Sequence, residues 1–117
     1  MSLVITVDDP AVTDGTSDRH FYGPAGSEAW RHTVWGTNAI AKWSPLLAEI
    51  KSNLFVPREQ FSKFESQCRL VDQHANEITS ELGWGEGGGN YLRERISIFL
   101  QAVAFARAHG SDMIRIW

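Results

Sequence analysis

The sequence predicts an α+β fold, with three helices packed on one face of a small sheet that includes the N-terminal and C-terminal strands. Three observations support this class. Leu3–Val7 is a short β-branched run, Met113–Trp117 is a short apolar run, and the chain between them has helical periodicity. Such strands bury their surface most simply as neighbours in one sheet. The length of 117 residues fits one core, so we expect a single domain over residues 1–117.

The first third of the chain is predicted to be mostly irregular. Leu3–Val7 forms the first strand, and residues 8–19 form a loop because they are rich in Asp, Thr, Ser and Gly. Residues 19–22 form a short second strand that stops at Gly23-Pro24. Residues 23–36 lack a clean period, so we expect irregular structure with one helical turn near residues 27–31.

Two predicted helices occupy the middle of the chain. Ser44-Pro45 is typical of a helix start, and we predict a short helix over about Pro45–Ser52. Its apolar face is formed by Leu46, Leu47 and Ile50, and Leu54 just beyond it has the same spacing. Pro57 opens the second helix, which Gly83 ends as a left-handed residue. Its apolar stripe alternates steps of three and four: Phe61, Phe64, Cys68, Val71, Ala75, Ile78, Leu82. A straight helix of that length would measure roughly 39 Å, which favours either a bend or packing along a partner.

The third predicted helix is capped by Asn90 and ends at Gly110. Apolar residues on two of its faces indicate a buried central helix; Tyr91 belongs to the second face. The final strand is a potential edge strand, and together with the long second helix it leaves a homodimer open.

Composition argues against several classes of function. A net charge of −3 disfavours nucleic-acid binding, which needs a basic field. No apolar run reaches membrane-spanning length and no leader is recognised, so we expect a cytoplasmic protein without a membrane partner. The single cysteine, Cys68, excludes an internal disulfide and lies on an apolar stripe, which predicts a core position.

Catalytic and metal-binding patterns are weak, so an enzyme is the less favoured interpretation. No serine lies in a G-x-S-x-G elbow, and no histidine pair has the H-x-x-x-H spacing of a metal site. Asp18, His20 and His32 could supply one oxygen and two nitrogen ligands, but such a set arises easily by chance, so we predict neither metal nor cofactor.

The glycine-rich segment from Gly83 to Asn90 holds five of the ten glycines, and three of them match G-x-G-x-x-G. A dinucleotide fingerprint needs a strand before the first glycine, whereas here a helix precedes it. We therefore predict a connector between helices. The alternative is a small enzyme or binder that holds an anionic small molecule at the start of the third helix, with His20 nearby. Its residues would be Gly88, Gly89, Asn90, Arg93 and Arg95.

Five tryptophans are many for this length, and most lie in predicted loops or at element ends. Wide rings with one N–H group are common at protein interfaces, although they also fill the cores of small domains. We predict a partner-binding surface formed by Trp30, Trp35, Trp43, Trp84 and Glu86.

From Trp43 to Trp117 the layout resembles small bacterial immunity proteins of polymorphic toxin systems. The resemblance lies in Ser44-Pro45-Leu46-Leu47, the long helix from Pro57, and the ending Phe99–Gly110 followed by Met113–Ile116. It implies a compact inhibitor that binds a cognate toxin without catalysis or cofactor. It transfers no functional residues, because no position-specific motif is matched.

Overall fold

The computed structural model describes residues 2–8 and 21–117, which form an antiparallel four-stranded sheet and a set of helices. The strands are β1 (Ser2–Val7), β2 (Phe21–Ser27), β3 (Leu54–Pro57) and β4 (Met113–Ile116). The α-helices are α1 (Asn38–Ala41), α2 (Pro45–Ala48), α3 (Phe61–Gln73), α4 (Ala75–Glu81) and α5 (Gly88–Ala108). A π-helical turn covers Arg31–Trp35, and 3₁₀ turns cover Glu49–Lys51 and Arg58–Gln60. The α+β class is confirmed.

The first and last strands are neighbours, as the sequence predicts. The strand order is β2-β1-β4-β3, and Ile5 on β1 lies opposite Ile116 on β4. Alternate side chains of all four strands are buried, and α5 contacts β1, β2 and β4. The opposite side-chain set includes the exposed rings of Tyr22, Phe55 and Trp117.

Strand β3 is absent from the sequence prediction, which placed Leu54 on the face of the first helix. That helix ends earlier: α2 passes into the 3₁₀ turn, which ends at Lys51, and the chain is extended from Leu54. Leu54 and Val56 are buried on either side of exposed Phe55, the alternation of a half-buried strand. The position of Leu54 also fits a helical period, so the sequence alone does not distinguish helix from strand here. Pairing of Leu54 with Ile116 of β4 decides in favour of a strand.

The position of β3 changes the interpretation of the C-terminal strand. Because β4 lies between β1 and β3, it is an interior strand and not an edge strand. Strand β2 is longer than predicted and continues through Gly23 and Pro24. Pro24 is tolerated because β2 lies at the edge of the sheet formed by the described residues. Arg19 and His20, assigned to that strand from sequence, lie outside those residues, as does most of the predicted loop.

The long second helix is divided in two at His74, which confirms a bend and corrects the continuous helix. The His74 backbone leaves helical geometry, with φ −106° and ψ 18°. Its ring stacks on Trp43 at 3.6 Å between centroids, and its Nδ1 lies 3.1 Å from a carboxylate oxygen of Glu77. Arg93 Nε donates to the Asp72 carbonyl near the end of α3 at 3.3 Å. The structure corrects the long continuous helix and the edge strand from which the homodimer was predicted, and the homodimer itself stays a prediction.

The largest buried side chains are the rings of Trp35, Phe64 and Phe99. Cys68 is buried as predicted, and this burial raises the pKa of its thiol. The thiol therefore stays protonated near neutral pH and packs as a small apolar group.

The start of α2 depends on a buried polar contact. The Ser44 hydroxyl accepts from the Leu47 amide at 3.0 Å and donates to Gln67 Oε1 at 2.9 Å. We expect Ser44→Ala to lower the free energy of unfolding by about 1–2 kcal/mol, because the cap is lost and Gln67 loses a donor. Urea titration measures this loss. Ser66→Ala, on the exposed side of α3, is the control and should change stability by less than about 0.5 kcal/mol; equal effects of the two substitutions would contradict the capping role.

Candidate functional site

Three aromatic side chains from separate parts of the chain meet at the surface, and we call them the aromatic cluster: Trp30, Trp84 and Tyr91. The Trp30 ring centroid lies 5.4 Å from that of Trp84 and 5.7 Å from that of Tyr91. The Trp84 and Tyr91 centroids are 6.3 Å apart. The rings are tilted or edge-on to each other, the arrangement that aromatic quadrupoles favour. Trp30 and Trp84 are partly buried against the core, whereas Tyr91 is 47% exposed.

The connector between α4 and α5 places Trp84 in this cluster. Gly83 has φ 79° and directly follows Leu82, the C-cap residue of α4. This confirms its predicted role as a left-handed helix stop. The Trp84 amide donates to the Thr79 carbonyl at 2.9 Å, and the Gly88 amide donates to the Gly85 carbonyl at 3.1 Å. These bonds turn the chain back over the end of α4 and into α5.

Helix α5 starts earlier than the sequence predicts. Gly87, with φ 87°, is its N-cap, and Gly88 is its first residue. Asn90 is therefore inside the first turn and does not cap the helix; its Oδ1 accepts from Arg93 Nη1 at 3.0 Å. Gly89 is buried, and a Cβ there would lie 2.0 Å from Asn76 Oδ1, so α4 and α5 approach closely at this point. The glycine pattern therefore serves turns and helix contact.

Two adjoining depressions open beside the aromatic cluster. One, of about 520 Å³, is lined by the three rings and residues 85–88. The other, of about 500 Å³, lies between the same connector and the α4 residues Asn76, Thr79 and Ser80. Trp84, Gly85, Glu86 and Gly87 line both, and we call these four residues the shared wall. Among the described residues that line the two depressions, Glu86 alone carries a charged side chain.

Three of the five residues predicted to contact a partner come together here: Trp30, Trp84 and Glu86. Trp35 does not, because it is fully buried and its Nε1 donates to the Ala25 carbonyl at 2.8 Å. Its prediction as a contact residue is therefore wrong. Trp43 lies apart from the cluster, in its stack on His74 at the break between α3 and α4.

Tyr91 is the site residue that sequence reasoning missed. The sequence assigned it to a second buried face of the third helix, together with Ile98 and Phe105. In the structure Ile98 and Phe105 pack against the core, but Tyr91 remains exposed. Its position in the first turn of α5 was the available signal, since a helix end extends beyond the elements that cover its middle.

The residues proposed for an anion site are not gathered around one pocket. Gly88, Gly89 and Asn90 form the first turn of α5, but Arg93 bonds to Asn90 and to the α3 end. The Arg95 guanidinium lies 5.4 Å from the centre of the Tyr91 ring and donates to its hydroxyl at 3.4 Å. Neither arginine lines one of the two depressions, and His20 lies outside the described residues.

Other types of site find no support in the described part of the chain. No group of three His, Cys, Asp or Glu side chains there is arranged to hold a metal ion. Of the possible metal ligands Asp18, His20 and His32, the first two lie outside the described residues. None of the described helices combines the length and the apolar character needed to cross a bilayer.

Comparison with known proteins does not identify a family. The chain matches no protein-family model, no curated protein and no solved structure. The aromatic cluster and the shared wall are therefore the observations on which a functional proposal rests.

Proposed function

We propose that this protein is a cytoplasmic protein-binding module that docks its partner on the aromatic cluster and the shared wall. The observation that carries the proposal is the convergence of Trp30, Trp84 and Tyr91 beside two open depressions. Tryptophan and tyrosine are enriched in binding hot spots, because a large ring excludes water while its N–H or O–H group still hydrogen-bonds to the partner or to solvent.

The form of the site supports a protein partner. Both depressions open to solvent, and each is bounded by the backbone of a glycine-rich connector. Asn76, Ser80 and Glu86 are exposed polar residues around them. An apolar centre with a polar rim is the usual anatomy of a protein interface.

We propose further that the partner is a bacterial toxin, in which case the protein acts as its immunity protein. The support is the resemblance in layout from Trp43 onward, through the Ser44-Pro45 helix start and the segment Phe99–Gly110 with the strand after it. Inhibition by docking requires neither catalysis nor a cofactor.

Photo-crosslinking in the native host tests the docking surface. Gly85 is suited to carry the crosslinker, because a Cβ there would have no atom within 4 Å. We expect a crosslinker at Gly85 to capture one partner, and one at exposed Ser66 on α3 to capture far less of it. Equal capture from both positions would count against the proposed surface.

The identified partner then allows a quantitative test. We expect Trp84→Ala to weaken its binding by about 30-fold or more, the effect of losing a hot-spot ring. Leu70→Ala removes a side chain on α3 that is 39% exposed, and should leave affinity unchanged. Isothermal titration calorimetry measures both, and circular dichroism checks that each variant is folded. Wild-type affinity of Trp84→Ala would refute the docking site.

The toxin assignment has its own test. Expression of the partner alone should arrest bacterial growth, and co-expression with this protein should restore it, whereas Trp84→Ala should restore it poorly. A partner that binds at the cluster but leaves growth unaffected would remove the toxin assignment and keep the binding module.

A further inference from the structure

Glu86 is an exposed carboxylate beside three aromatic rings, and it lacks an internal partner. Among the described residues, none forms a hydrogen bond or ion pair with its side chain. It lines both depressions, so its negative charge is presented to any molecule that enters either. A carboxylate in this position favours a cationic occupant by charge complementarity.

Nearby carboxylates are already engaged. Arg31 Nε lies 2.8 Å from Glu28, and this hydrogen bond lowers the pKa of Glu28. On α4, Glu77 contacts His74 at 3.1 Å and Glu81 pairs with Lys42 at 3.2 Å. The carboxylate offered at the depressions is therefore that of Glu86.

The aromatic rings of the cluster, like Glu86, attract positive charge. The face of an indole or phenol ring carries a partial negative charge and attracts guanidinium and ammonium groups. Arg95 already lies over Tyr91, 5.4 Å from the ring centre, although Arg95 does not line either depression. The cluster thus accommodates one guanidinium within the fold, while Trp30 and Trp84 line the depression with Glu86.

We infer that the partner inserts a basic side chain, arginine or lysine, which lies against Trp30 and Trp84 and pairs with Glu86. The inference rests on the proposed docking function and adds the chemistry of the group that is recognised. Arginine suits the site best, because its planar guanidinium stacks on a ring while its N–H groups reach a carboxylate.

Nuclear magnetic resonance with small probes tests the inference without the partner. The probe is N-acetyl-arginine methylamide, and its neutral control is N-acetyl-norleucine methylamide. We expect the arginine probe to shift the indole N–H signals of Trp30 and Trp84 and the amides of residues 85–88 in a saturable way. The norleucine probe should bind several-fold more weakly.

Two substitutions locate the interaction. Glu86→Gln should weaken binding of the arginine probe about three-fold, as expected for an exposed charge contact, while Glu94→Gln on the exposed side of α5 should leave it unchanged.

The outcomes separate this inference from the docking proposal. Equal binding of both probes would overturn recognition of a cation and leave an apolar docking surface intact. Preferential binding of N-acetyl-glutamate methylamide would overturn it in favour of an anion site. No shift at Trp30 or Trp84 with any probe would also overturn it, whereas the docking proposal would still depend on the crosslinked partner.

Discussion

Replacing Trp35 with alanine is expected to destabilise the protein by about 3–5 kcal/mol, the range for removing a large ring from a core. Trp35 is fully buried, its ring centroid lies 5.2 Å from that of Phe99, and its Nε1 donates to the Ala25 carbonyl. The substitution removes apolar contacts and also leaves a buried carbonyl without its donor. The loss should appear as a lower urea midpoint with little change in slope.

Two further variants separate the loss of the hydrogen bond from the loss of the buried ring. Trp35→Phe keeps an aromatic ring but loses the bond to Ala25, so we expect a smaller cost of about 1–3 kcal/mol. Trp117→Ala, at a ring that is 53% exposed, should cost less than about 1 kcal/mol. If Trp35→Ala were as mild as Trp117→Ala, the core position of Trp35 would be refuted.

Gly88→Ala is expected to destabilise the protein by about 1–3 kcal/mol, the cost of inserting a methyl group into a packed site. Helix propensity alone predicts the opposite sign, since alanine is favoured over glycine in a helix by up to about 1 kcal/mol. A Cβ at Gly88, however, would lie 2.9 Å from Trp84 Cβ and 3.3 Å from Thr79 Cβ. Both atoms are next to the backbone, so the connector itself must move.

The matched control is Gly85→Ala, in the same connector but with no atom within 4 Å of the added Cβ. Its stability should stay within about 0.5 kcal/mol of wild type. Thermal unfolding compares the two variants, and tryptophan fluorescence should show that Gly88→Ala alone alters the environment of Trp84. A Gly88→Ala variant as stable as wild type would mean that α5 does not pack tightly against the connector.

Several elements could be predicted because local chemistry determines them. Ser44-Pro45 starts a helix because serine caps free amides and proline suits the first turn, and the structure shows this cap. Gly83 ends α4 because a left-handed residue favours glycine. The apolar stripe from Phe61 to Ile78 is buried on both sides of the helix break.

The candidate site was predictable only in part. Trp84 and Glu86 share a glycine-rich connector, so their position in one loop followed from the sequence itself. Trp30 joins them from about 54 residues earlier in the chain, and the closure of so long a loop leaves no trace in local sequence. Tyr91 has the spacing of a buried residue, and only the end of the packed region leaves it exposed.

By itself the sequence determined the α+β class, the helix start at Ser44-Pro45, the helix stop at Gly83 and the apolar stripe from Phe61 to Ile78, since these depend mainly on neighbours within a few residues. The tertiary structure decided that Leu54 belongs to a strand, that the long helix breaks at His74, and that Trp35 is buried while Trp30 and Trp84 line a surface depression. The physical reason is that burial and strand pairing depend on contacts between distant segments. The same side chain is a core residue or a binding residue according to what covers it.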